Sequence, residues 1–185
     1  MIAFWIIACE IGFWVFVIAG LFCRYILKAK TLGAALLYCT PLIDLLLLAA
    51  TAADLRNGAT ADFFHGLAAV YIGVSIAFGN RMIRWADERF AHRFAGGPAP
   101  SSKPKFGREH AKYERSMWYR HLLAWMIGSA LLGGMIWFVG DESRTSSLAS
   151  MILRWLFILG IDFLWSFSYT IWPKKDRHSA ISVTK

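Results

Sequence analysis

The sequence predicts an all-α, polytopic membrane protein: a five-transmembrane-helix bundle with the N-terminus outside and the C-terminus in the cytoplasm. Three observations carry this. Apolar residues fill 57% of the 185 positions and charged residues only 17%, against about 25% charged in a soluble domain. Five stretches match the roughly 20 helical residues that a hydrocarbon core of about 30 Å requires. Lysine and arginine are also sorted by loop. Seventeen of the twenty fall on one predicted side, leaving Arg56, Arg144 and Arg154 for the other. Short basic loops stay cytoplasmic.

The first span runs from about Phe4 to Cys23 and is interrupted only by Glu10. Ile6-Ile7-Ala8-Cys9 has the look of a lipoprotein cleavage box, but no basic leader precedes it, so the segment is expected to be retained. A loop with Arg24, Lys28 and Lys30 leads to the second span, Leu32 to Ala53, which contains Pro41 and Asp44. The third runs from Ala61 to Gly79 with His65 near its start. The fourth covers His121 to Val139, and the fifth Leu148 to Trp172, with Arg154 and Asp162 inside it. Backbone groups in lipid must be satisfied within their own segment, so each span is predicted as a helix. Trp5, Trp85, Trp118, Trp137 and Trp172 lie near the predicted ends, where an aromatic belt is expected. Pro173 stops the last helix in front of Lys174 and Lys175.

The whole chain, 1–185, reads as a single membrane domain, within which 81–120 is a basic cytoplasmic connection with a flexible hinge at 95–107. In RMIRWADERFAHRF, residues Ile83, Ala86, Phe90 and Phe94 recur at helical spacing. This is either a continuation of the third helix or a helix lying on the headgroups. The Gly/Pro/Ser-rich hinge has no folding pattern, and REHAKYERSMWYRH leads helically into the fourth span. The connection is too short for a catalytic domain. It suits docking a partner or sensing lipid charge.

Several function classes fall away. The net charge of +8 is placed as a topology signal and a match to anionic lipid, not as a nucleic-acid surface. Cys9, Cys23 and Cys39 form no CxxC and read as small apolar residues. His110, Glu114 and His121 share a helical face, read as solvated and headgroup-contacting rather than as a metal site. His65 and His121 fall at opposite membrane faces and so do not share a haem iron. The chain contains no HExxH, P-loop, GxSxG or dinucleotide fingerprint. No catalytic residue, metal or cofactor is therefore expected, and an enzyme is disfavoured.

Three carboxylates inside spans carry the functional expectation: Glu10, Asp44 and Asp162. An ionised Asp at a helix centre costs roughly 2.5–3.5 kcal/mol on insertion scales, so such residues mark sites. Asp44 and Asp162 are expected near the midplane, Glu10 further out, and His65, Asp54 and Arg154 further still. Thr40, Asp44 and Thr51 share one helical face. Asp162, Ser166 and Tyr169 share another, with Arg154 two turns outward. The expected ion- or substrate-binding set is Glu10, Asp44, Asp162, His65, Arg154, Thr51, Ser166 and Tyr169. The other reading gives each acid a structural hydrogen bond to a neighbouring helix, with Arg154 neutralising Glu10.

The expected function is a small transporter or channel subunit handling protons, a cation or a small solute. The alternative is a non-catalytic scaffold or accessory subunit that uses the basic segment to bind a partner or anionic lipid. Small residues (Gly66, Ala69, Gly73 and Ala77 on the third span; Ser129, Ala130, Gly133 and Gly134 on the fourth) indicate close packing within a bundle. Membrane lipids are the expected surroundings, with a homodimer or a membrane-protein partner as companions to consider.

The strings TPLIDLLLL, HGLAAVYIGVSIAFG, WADERF, GREHAKYE and IWPKK resemble the YmcC-like integral membrane proteins of Bacillus and relatives, over nearly the whole chain. The resemblance implies a bacterial plasma-membrane location. It implies no activity and no functional residues.

Overall fold

The computed structural model describes residues 2–94 and 96–174, and among them every regular element is an α-helix. These are α1 (Ile2–Tyr25), α2 (Lys30–Arg56), α3 (Phe63–Phe94), α4 (Gly107–Val139) and α5 (Glu142–Ile171). Each packs chiefly on its neighbour in sequence: α1 on α2, α2 on α3, α3 on α4, α4 on α5, with lesser contacts of α2 on α4 and α3 on α5. Short connections force antiparallel neighbours, and α3 and α4 form the middle of the bundle. One end carries the 57–62 and 140–141 turns. The other carries the 26–29 turn and the long connection.

Four helices, α2 to α5, are long and apolar enough to cross a membrane; α1 contributes a shorter apolar stretch, Trp14–Tyr25. Their apolar residues face outward as well as inward. Ile18, Leu46, Ile76, Phe157 and Leu164 are all more than half exposed, as a lipid-facing surface requires and a water-facing one does not tolerate. The core between α2, α3, α4 and α5 is Leu47, Leu48, Leu55, Ala68, Ile72, Leu132 and Leu148.

The basic segment after the third span continues it. The 32-residue α3 rises about 48 Å and the 33-residue α4 about 50 Å, well beyond a 30 Å core. Of the two placements open to RMIRWADERFAHRF, the structure takes the helical extension, with Phe90 stacked on Tyr25 at 4.0 Å.

Small residues set the crossings, though not all those expected. A Cβ on Gly73 would collide with the Ala124 carbonyl, and one on Gly128 with the Trp155 ring. One on Gly33 would meet the Gly20 carbonyl at 2.6 Å. Gly133 and Gly134 face open space instead, so the α4 crossing falls at Gly128, the residue before Ser129. Trp118, placed by sequence near a span end, is also tied to the neighbouring helix. Its indole N–H donates to the Leu159 carbonyl at 3.2 Å, and Trp125 repeats the bond to Ile152 at 3.3 Å, pinning α4 to α5. A buried indole N–H needs such a partner.

At the short-turn end, α5 holds the α2–α3 connection. Asp141 caps α5 by accepting the N–H groups of Ser143 and Arg144. The Arg144 guanidinium donates to Asp141 at 2.7 Å and to the Leu55 carbonyl at 2.8 Å, while the Arg144 carbonyl accepts the Ala61 N–H at 2.8 Å. The hydrogen bonds from Ser143, then Arg144, hold the Asp141 carboxyl down at about 2.

Candidate functional site

Asp44 lies near the middle of α2, about 18 Å from its nearer end at 1.5 Å per residue. Only 2% of it is exposed. Its Oδ2 has no hydrogen-bond partner among the described residues. Two turns along the same stripe, Thr51 is 1% exposed and its hydroxyl is likewise unpaired. Thr40, one turn the other way, is buried too, but its hydroxyl donates to the Leu37 carbonyl at 2.8 Å. The 3.6-residue period places all three on the core stripe that also carries Leu47, Leu48 and Leu55. On α4, the Ser129 hydroxyl is buried without a partner as well.

Most buried polar groups are paired, because leaving one unpaired costs about 1–3 kcal/mol. Thr51 could satisfy its hydroxyl on a preceding carbonyl, as Thr40 does, yet it is not turned that way. Three such groups in the short-turn half of one bundle mark a polar interior.

At that end, two acids flank His65, which is buried to 8% exposure. Asp62 caps α3 by accepting the His65 N–H at 3.1 Å, and the His65 ring folds back on the Asp62 carboxylate through Nδ1. Its Nε2 faces Asp54 Oδ2 at 4.0 Å. Asp54 is one turn beyond Thr51 on α2. The file along α2 and α3 therefore runs Asp62, His65, Asp54, Thr51, Asp44, Thr40.

Towards the other end, a cavity of about 320 Å³ opens between α1, α2 and α3, lined by Arg24, Ala34, Tyr38, Asn80, Ile83, Arg84 and Asp87. Arg24 grips Asp87 bidentately at 2.9 and 2.7 Å, and the Tyr25 hydroxyl donates to the same carboxylate at 2.7 Å. Nothing in the spacing of these residues announces the cluster, which depends on how α1 lies against α3.

The predicted set divides. Asp44, Thr51 and His65 share the α2–α3 file. Asp162 is elsewhere: its Oδ2 lies 2.6 Å from Nδ1 of His121 on α4, whose ring centre is 5.0 Å from that of Phe78. It is about 14 Å from the end of α5, nearer that end than the expected midplane. Ser166 is buried at 1% on the same stretch of α5. Tyr169 packs edge-on against His110 at 4.7 Å, and His110 Nδ1 lies 3.9 Å from Glu114. His110 and His121 thus turn to different partners. Arg154 is exposed and makes no hydrogen bond or ion pair among the described residues. Eight positions from Asp162 is about 80° around a helix, which takes Arg154 off that face. The Glu10 side chain lies outside the described residues, as do those of Cys9 and Trp5. The expected Glu10–Arg154 pair therefore also lies outside the described residues. Cys23 and Cys39 are free and half-buried. Among the described residues, no three His, Cys, Asp or Glu side chains are grouped to hold a metal ion.

An all-helical bundle with apolar outer faces and at least four membrane-length helices is a multi-pass integral membrane protein. Across 181 residues the chain is 51% identical to the uncharacterized membrane protein YmcC of Bacillus subtilis (strain 168), covering 97% of this chain and 96% of the relative. It belongs to the YmcC family, and its location is the bacterial plasma membrane. No family model and no solved structure matches it.

Proposed function

We propose that the chain is a small five-span carrier or channel subunit that passes a proton or a small cation along α2 and α3, with Asp44 as its central acid. α1 is the fifth span in this reading, and the N-terminus lies outside and the C-terminus inside. The distribution of basic residues supports that orientation. The observation that carries the function is the unpaired Oδ2 of an Asp buried to 2% at mid-helix. An acid held there without a partner among the described residues is available to a proton or a cation.

The remaining parts have roles that follow from position. The His65, Asp54 and Asp62 group forms an outer mouth whose negative charge concentrates cations. Thr51 supplies a hydroxyl between that mouth and Asp44. Thr40 and the Tyr38, Asn80 and Arg84 cavity lead to the cytoplasmic side. Asp162, clamped by His121, is a packing contact of α4 and α5 in this scheme.

The test is ion flux into proteoliposomes driven by a pH gradient. Asp44→Asn should abolish it, with Asp162→Asn retaining most of it. Full flux through Asp44→Asn would end the proposal. The scaffold reading keeps one observation in its favour: α3 and α4 extend about 15–20 Å beyond a bilayer core, a projection suited to partner docking. Loss of a co-purifying protein on removing that projection, with no flux in any variant, would favour it.

A further inference from the structure

A second concave feature lies along α4, apart from the α2–α3 file. It is a shallow, open groove of about 490 Å³, lined by Lys112, Arg115, Ser116, Tyr119, Arg120 and Leu123. Half of that lining is cationic and none of it acidic. Lys112, Arg115, Tyr119 and Leu123 follow one another at steps of three and four residues, a single stripe of the helix, with Ser116 and Arg120 beside it. Like charges at such spacings repel. Among the described residues, none of these three cations takes part in an ion pair.

Their hydrogen-bonding capacity is also mostly unused. A guanidinium has five N–H donors. Arg115 gives one to the Thr170 hydroxyl at 2.7 Å, and Arg120 gives one to the Ala77 carbonyl at 3.1 Å. The Nε–H of Arg120 is buried with no partner. The cavity between α1, α2 and α3 differs, because its Arg24 is already neutralised by Asp87. The α4 groove gathers positive charge with no ion-pair partner among the described residues, beside the buried Arg120 Nε–H.

Its depth in the membrane selects the ligand. The cations lie towards the connection end of the bundle. One turn further into the span come Leu123 and then Met126, both exposed. A charged head beside the upper turns and an aliphatic chain beside the lower ones would match this gradient, and basic pockets on the cytoplasmic side suit anionic headgroups.

We propose that the α4 groove is a binding site for an anionic phospholipid of the cytoplasmic leaflet. Arg115 and Arg120 would take the phosphate, Lys112 would complete the charge, and Ser116 and Tyr119 would offer hydroxyl groups. Leu123 and Met126 would lie along an acyl chain. The site is separate from the Asp44 file, and its test is independent of flux.

The experiment is native mass spectrometry of the full chain in detergent, titrated with dioleoyl phosphatidylglycerol or dioleoyl phosphatidylcholine. Wild type should retain the glycerol lipid in preference. The double variant Arg115→Gln/Arg120→Gln should weaken that binding about tenfold or more, taking about 1 kcal/mol for each basic residue near an anionic surface. Ser116→Trp, which fills the groove and keeps every charge, should do the same; it carries the test if the double variant misfolds. Lys105→Gln/Arg108→Gln removes two neighbouring charges outside the groove and should bind as wild type. Equal loss in that control would make the attraction diffuse and overturn the proposal, as would unaltered binding by Ser116→Trp. Displacement of the lipid by millimolar inorganic phosphate would mean a soluble-anion site and would overturn the lipid assignment.

Discussion

Asp141 and Asp44 show how differently two carboxylates in one chain are treated. Asp141, in the turn before α5, is saturated with donors from Ser143 and Arg144. Its folded value of about 2 lies below the ordinary 3.8, so the carboxylate stabilises the fold fully above that ordinary value and loses its contribution as pH falls through about 2. Asp141→Asn keeps a capping oxygen but has no proton to gain there. Thermal melts in detergent, followed by circular dichroism, should separate wild type from the variant near neutrality and bring them together towards pH 2. A gap that persists unchanged at low pH would count against this account. Asp44 was legible from sequence because an acid interrupts an otherwise apolar run. Thr51 followed from period alone. The His121–Asp162 contact was not legible, since it depends on the register of α4 against α5, and no residue in either helix encodes that register by itself. Arg154 shows the same gap in another form: two turns is not a whole number of residues, and the remainder turns its side chain outward.

At the level of the helix, crossing points matter more than propensity. Gly128 is enclosed by the Trp155 ring and the Ala69 carbonyl, whereas Gly133 meets nothing within 4 Å. Gly128→Leu should therefore destabilise the bundle by about 1–3 kcal/mol through overpacking, and Gly133→Leu should melt like wild type. Comparable midpoints for the two variants in a detergent thermal-shift series would refute the assigned α3–α4–α5 packing. The sequence indicated that small residues would set these contacts, and the α3 stripe of Gly66, Ala69 and Gly73 does face its neighbours. It did not indicate which of several small pairs on α4 would be used, because Gly128, Ser129, Gly133 and Gly134 are spread over about two thirds of the circumference. The continuation of α3 past the apolar span was one of two open placements. Phe90 stacking on Tyr25 supplies the tertiary contact that favours it, and that contact involves residues 65 positions apart.

For the molecule as a whole, hydropathy and charge are strong because the bilayer restricts the options: spans must be helical, and basic loops stay on one side. Five spans with the proposed orientation put Ser102 inside and Asn57 outside. In a background lacking the native cysteines, Ser102→Cys should react with an impermeant maleimide only in inverted vesicles, and Asn57→Cys only in right-side-out ones. The opposite pattern would reverse the mouth and exit of the Asp44 file and remove the lipid groove from the cytoplasmic leaflet. Which polar groups would gather could not be foreseen from depth alone. Three acids at bilayer depth suggested one shared cavity. The order of helices, with α1 on α2 and α5 beyond α4, separates Asp44 from Asp162 instead.

The irregular stretch from residue 96 to 106 has a consequence for how continuous this protein needs to be. It joins α3 to α4, yet the two helices are already interlocked through Gly73, Ala124, Ala69 and Gly128. Cleaving the backbone there breaks no helix and opens no core. Residues before the cut and residues after it would make two fragments, each with its own membrane-length helices, able to assemble side by side as a noncovalent pair. The connector would then act as a tether, and the two fragments are expected to copurify after cleavage within it.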